Sequence, residues 1–245
     1  MEQWRRDEEV RLRTILFEEV RPVALANCTL KRYGSTYDGG YLMCENLLEG
    51  VRSAYSYGIA SEDNWGCEVS RSLRVPIHQY DCFTEHRPTC DGGTFIFHEE
   101  CVGDTRETQD GRLFDTIVNQ LAKNGDAGKR VLIKMDIEGA EVESFMATPD
   151  EVLATVPQIP LEIHGIDRKF LDLVQKLKRT FYVVSVHVNN HTCTPDAAPF
   201  PGPVFQVLLV NKRLGVLDPD GRPHQPGSPP DAPDWSSGPD CQPKY

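Results

Sequence analysis

The chain has 245 residues, with 26 Lys and Arg against 37 Asp and Glu, and a net charge of −11. That length holds one sizeable core with at most a small appendage. The acidic balance argues against a nucleic-acid backbone as partner, since phosphates are bound by clustered Lys and Arg; a small polar or uncharged molecule suits the field better.

The first residues, MEQWRRDEEVRLRTILFEEV, are too charged for a secretory signal peptide. Trp4, Val10, Ile15 and Leu16 instead fit one stripe of an amphipathic helix, so residues 1–30 read as a helical cap. Lys31–Cys44 is turn-rich, with Asp38-Gly39-Gly40 as a reversal. Strand-like and helix-like segments then alternate. Strands are expected at 54–59, 76–82, 94–98, 130–136, 158–164, 182–188 and 204–211, and helices at 64–73, 113–124, 140–146 and 168–179. Pro160 is an awkward residue inside its strand. Such alternation implies right-handed crossovers and a parallel sheet, and the last two strands, with no clear helix between them, fit an antiparallel edge hairpin. The expectation is an α/β, Rossmann-like domain over 31–213: a seven-stranded, mostly parallel sheet with helices on both faces. From 214 to 245 the chain turns to Pro, Gly, Asp and Ser, a tail that is disordered or laid on the surface. No apolar run approaches the roughly 20 residues of a bilayer span.

The eight cysteines include no C-x-x-C pair, which argues against a zinc knuckle or thioredoxin motif. Their even number suits disulfides, but a chain of this size does not need them. Without a signal peptide a reducing cytoplasm is the default; the secretory-pathway lumen is the alternative if an export segment has been removed. Asn27-Cys28-Thr29 and Asn190-His191-Thr192 match the glycosylation triplet, which is common by chance.

Chemistry gathers at the strand ends. The first strand stops at Gly58 and runs into Glu62 and Asp63 before a helix. One glycine plus acids repels a pyrophosphate but suits a cationic amino-acid group, which favours S-adenosylmethionine over NAD or ATP; as an ordinary turn, the same stretch would use Asp63 as a helix cap. Asp81 ends the second strand about twenty residues after that glycine, where nucleotide-binding folds hold a ribose diol; alternatively it starts a turn. In VLIKMDIEGAEVE an apolar strand delivers Asp136 to the sheet edge. Helix-entry electrostatics explain Glu141 and in part Glu138, but not Asp136. Period-two alternation sets Glu162 with His164, and His187 with Asn189. Gathered at one rim with Asp136, these groups could bind a divalent metal or supply a base.

KMDIEGAE resembles the signature of FkbM-like S-adenosylmethionine-dependent methyltransferases, and RYGSTYDGGYLMC, YSYGIASEDNW, LEIHG and VHVNNHT are similar to segments of a related methyltransferase-like family, in the same order over residues 30 to 212. The resemblance implies a class I methyltransferase fold. Tyr57, Gly58 and Asp63 would meet the methionine moiety, Asp81 the ribose, and Asp136 the methyl group or acceptor, with Asp38 and Tyr41 closing the pocket. It departs at Asp81-Cys82, where the family often has Asp-Pro. The implied reaction is O-methylation of a small molecule or sugar, with His164 or His187 as base, or a divalent metal on Asp136, Glu162 and His164. A catalytically silent binding module and a metal-dependent hydrolase on the same cluster are the rivals. The acceptor and the oligomeric state are not written in the sequence.

Overall fold

The computed structural model describes residues 2–245. In chain order its elements are α1 (Glu2–Glu19), β1 (Leu30–Gly34), β2 (Gly40–Cys44), β3 (Ser53–Tyr57), α2 (Asn64–Leu73), β4 (Pro76–Tyr80), β5 (Thr94–His98), β6 (Cys101–Val102), β7 (Glu107–Gln109), β8 (Arg112–Asp115), α3 (Ile117–Lys123), β9 (Val131–Met135), α4 (Glu141–Met146), α5 (Asp150–Leu153), β10 (Gln158–His164), α6 (Arg168–Leu177), β11 (Phe181–Val188) and β12 (Val204–Asn211).

All seven expected strands form one sheet, in the order β11-β12-β10-β9-β3-β4-β5. The five strands from β10 to β5 run parallel, and β12 is antiparallel to both β10 and β11. The chain's last strand is thus inserted, leaving β11 at the edge. β3 and β9 are buried along their whole length, as central strands covered on both faces must be. Pro160 is tolerated because the ladder between β10 and β9 pairs only Leu161 with Met135.

Two apolar clusters cover the two faces. One joins α1, α3, α4 and α6 to Tyr55, Ile133 and Leu161; the other joins α2 and the β1–β2 hairpin to Ala54, Ile77 and Leu132. α6 turns Phe170, Leu171, Leu173, Val174 and Leu177 inward and is capped by Asp167.

Three segments differ from the sequence reading. The turn-rich stretch 31–44 is a hairpin, β1–β2, closed at Gly34 and Gly40. Residues 113–115, expected as helix, belong to β8 in a small sheet with β6 and β7; Thr116 starts α3 by accepting from Asn119 N. The polar tail lies on the surface, the second of the two expected alternatives, fastened by Cys193–Cys241, by Asn190 to the carbonyls of Trp235 and Pro239, and by Gln242 to both backbone groups of Val188 on the edge strand. That last pair blunts the exposed edge of β11.

All eight cysteines are paired, as Cys28–Cys44, Cys67–Cys90, Cys82–Cys101 and Cys193–Cys241. Neither glycosylation triplet presents a free amide: Asn190 is buried, and Asn27 bonds the backbone of Leu214 and Val216. Among the described residues, no helix is long and apolar enough to cross a membrane.

Candidate active site

The strand order reverses at β3, whose neighbours are β4 on one side and β9 on the other. Crossovers leave in opposite directions there and open a crevice beyond the carboxyl ends of the strands. The crevice is a cavity of about 920 Å³ lined among others by Asp38, Tyr41, Gly58, Asp63, Asp81, Phe83, Lys134 and Asp136. Its volume suits a cofactor-sized ligand. A second hollow, lined by Gly50, Arg52, Lys129 and Arg130, contains neither an acid nor a histidine.

Gly58 sits at φ +71°, and a Cβ there would collide with the backbone carbonyl of Asp136. β3 and β9 approach this closely because residue 58 has no side chain. Gly58→Ala is therefore expected to cost on the order of 2–3 kcal/mol from the left-handed backbone and the clash together. Differential scanning calorimetry would read this as a Tm lower by roughly 4–12 °C; an unchanged Tm would show that the loop is free to move aside.

The expected cofactor residues divide. Tyr41 is buried, and its hydroxyl donates to Asp136 Oδ2 at 2.8 Å. Burial, followed by the charge on Asp136, pushes its pKa well up, so the phenol stays protonated. Asp38 lies in the lining, with its N–H bonded to the tail carbonyl of Asp234. Asp63 serves as the cap of α2, accepting from Gly66 N at 2.7 Å and Gln79 Nε2 at 2.9 Å. Tyr57 does not turn its ring to the cleft: the ring is buried in a stack with Tyr55 and Tyr80. It contributes its carbonyl, which accepts from Asp136 N. Asp81 lines the cleft, but its Oδ2 accepts from Ile59 N and Ala60 N, and its Oδ1 from Phe83 N and Thr84 N. Four amides use the roughly four acceptor positions of a carboxylate, so Asp81 shapes the loop, and reaching a diol would require giving up one of these bonds.

On the β9–β10 side the acids and one histidine converge. His164, at the end of β10, binds Glu141 Oε1 through Nδ1 at 2.6 Å. Its Nε2 faces Glu162 Oε2 at 3.4 Å and Asp136 Oδ1 and Glu138 Oε2 at 3.6 Å each. Lys134 lies 3.5 Å from Asp136 and donates to the carbonyl of Gly58. Asn189 holds Glu162 Oε1 at 3.2 Å. Burial pushes Glu162 up to about 7, with the Asp136 charge adding to it. For Asp136 burial works the same way, but Lys134 and hydrogen bonds from Glu162 and Tyr41 outweigh it and hold the group low. Burial disfavours the charged His164 ring, yet Glu141 and Glu162 lift its pKa to about 10. A ring protonated at neutral pH is a poor base.

Two expectations are corrected here. His187 does not reach this cluster: it is buried between tail acids, with Nδ1 2.9 Å from Asp231 and Nε2 3.2 Å from Asp234. Its ring faces the strap formed by the tail and has no access to a substrate in the cleft. Glu141 does stand in the first turn of α4, as read, but helix entry does not account for it alone: it is fully buried and turned back, accepting from Ile137 N and Gly139 N as well as binding His164. One signal could have found it: α4 starts at Gly-Ala without a Ser, Thr, Asp or Asn cap, and Ala140 has no cap bond to offer. Glu138, also weighed as helix entry, stands at φ +59° on the cluster's rim.

No family model, curated protein or solved structure matches the chain.

Proposed function

We propose that this protein is an S-adenosylmethionine-dependent methyltransferase acting on a hydroxyl of a small molecule or sugar. The observation that carries the reading is the crevice at the strand-order reversal, with an acid-lined loop of one glycine on its β3 side and Asp136 on its β9 side. The resemblance of KMDIEGAE and its companion segments to FkbM-like enzymes supports it. S-adenosylmethionine would supply a sulfonium methyl, already activated, so the protein chiefly aligns and desolvates.

The chain's own groups divide the rest. Glu62 and Asp38 give the open lip of the cleft the negative charge that suits a cationic amino-acid group. Asp136, fixed by Tyr41 and Lys134, faces the acceptor side. Glu162, buried and held by Asn189, stands behind Asp136 and would take the hydroxyl proton by way of that cleft-lining carboxylate. Four disulfides favour an oxidising compartment such as the secretory-pathway lumen, in place of the cytoplasmic default.

Calorimetric titration of the full chain tests the reading. S-adenosylmethionine and S-adenosylhomocysteine should each bind once per chain, with Kd inside the range of about 1 μM–1 mM common for enzyme substrates, and NAD should give no heat. Absence of binding by both adenosyl compounds would overturn the proposal.

A further inference from the structure

We infer that Asp136, Glu138 and His164 form a divalent-cation site at the acceptor side of the cleft. One ligand atom from each lies within 4.8 Å of the others. The distances from His164 Nε2 to Asp136 Oδ1, Glu138 Oε2 and Glu162 Oε2 are 3.4–3.6 Å. Hydrogen-bonded atoms stand about 2.7–3.2 Å apart. Ligands at about 2.1 Å from a common ion stand about 3.0 Å apart at octahedral angles and about 3.4 Å apart at tetrahedral ones. The His164 Nε2 distances to Asp136 and Glu138, 3.6 Å each, lie just beyond the wider of these.

The atoms turned away from the centre are already held. His164 Nδ1 is held by Glu141, which aims Nε2 inward, where an arriving ion would displace the Nε2 proton. Asp136 Oδ2 takes the Tyr41 hydroxyl and Glu162 Oε1 takes the Asn189 amide, and Asp136 Oδ1 and Glu162 Oε2 face His164 Nε2. A histidine oriented by a buried carboxylate is the common outer shell of a metal site. Glu141 also has its Oε2 buried without a hydrogen-bond partner, and among the described residues the acids Asp136, Glu138, Glu141 and Glu162 face only Lys134 and His164 as cationic partners. Uncompensated negative charge in a part-buried place calls for a cation. One imidazole with carboxylates lies between the preferences of Mg²⁺ and Zn²⁺, and Mn²⁺ fits both donor types.

The ion's role rests on the methyl-transfer reading: it would hold the acceptor hydroxyl and ease loss of its proton to Glu162. The site itself does not rest on that reading. In place of the predicted Asp136, Glu162 and His164 set, Glu138 takes the third position and Glu162 stands beside it.

The test uses full-length protein stripped with chelator and titrated with Mn²⁺ alone, the free ion being followed by electron paramagnetic resonance. One ion per chain is expected, with His164→Asn and Asp136→Asn each weakening binding at least about 100-fold. Glu141→Gln, which touches no ion, should weaken it about 10–100-fold, and the half-buried, distant Asp172→Asn should leave it unchanged. No binding, or binding indifferent to His164 and Glu141, would overturn the inference. The stripped protein is also titrated with S-adenosylmethionine. Cofactor binding without Mn²⁺ binding defeats the ion and leaves the methyltransferase reading standing; Mn²⁺ binding with no cofactor binding does the reverse.

Discussion

Asp136→Asn is expected to reduce methyl transfer by about 10²–10⁴-fold while leaving the protein folded and its cleft open. Asn can still accept the Tyr41 hydroxyl, and Lys134 keeps its bonds to the carbonyls of Gly58 and Tyr57, so the frame around residue 136 survives. What is lost is the negative charge opposite His164 and the acceptor. Turnover of a labelled methyl group into acceptor is the measurement, with calorimetric cofactor binding and thermal melting as companions. A variant that turns over at the wild-type rate would remove Asp136 from the chemistry. One that no longer melts cooperatively would show that its part is architectural.

His187→Ala should produce the largest loss of stability, about 3–5 kcal/mol, because it strands buried Asp234 without its counter-charge and leaves buried Asp231 with Arg32 alone. The loss should be local first. Limited proteolysis is expected to cut within residues 214–245 before the sheet unfolds, and denaturant titration gives the global figure. A tail that resists protease as well as wild type would refute the clamp. The contact also has a pH window. Burial opposes the charged His187 ring, but the two acids raise its pKa to about 9, so its contribution is complete below its ordinary value of about 6.5 and is lost as pH rises through 9. Burial likewise opposes ionised Asp231, yet hydrogen bonding and charge from His187 hold its pKa low, so that side of the clamp is lost on acidification. The tail should be most firmly held in mildly acidic to neutral solution.

The sheet was legible in the sequence because its strands are short, apolar and separated by helices with clear spacing. VLIKM in β9 and the inward face of α6 are cases where burial pattern and fold agree. The inserted position of β12 was not legible, since strand order is a property of three dimensions. The hairpin β1–β2 hid behind its glycines, and β8 was masked by a helical spacing that Thr116 interrupts.

The site was half legible. Strand-end position singled out Asp136, and alternation brought Glu162 and His164 to the same edge. Alternation alone put His187 there too, and it failed because a strand's rim is long and a distant polar tail supplied acids for that ring. Glu141 escaped because its distinguishing feature, a turn back toward His164, depends on the path of the chain through Glu138 and Gly139, both at positive φ.

The Cys82–Cys101 bond has a consequence for how the cleft is built. Cys82 follows Asp81, whose carboxylate gathers four amides of the two neighbouring loops, and Cys101 begins β6. One wall of the cleft is thus riveted, while the facing wall, with Asp136 and Glu138, carries no disulfide. The molecule resembles a vice with one welded jaw: the welded side is tied covalently, and the other is left adjustable by what it grips.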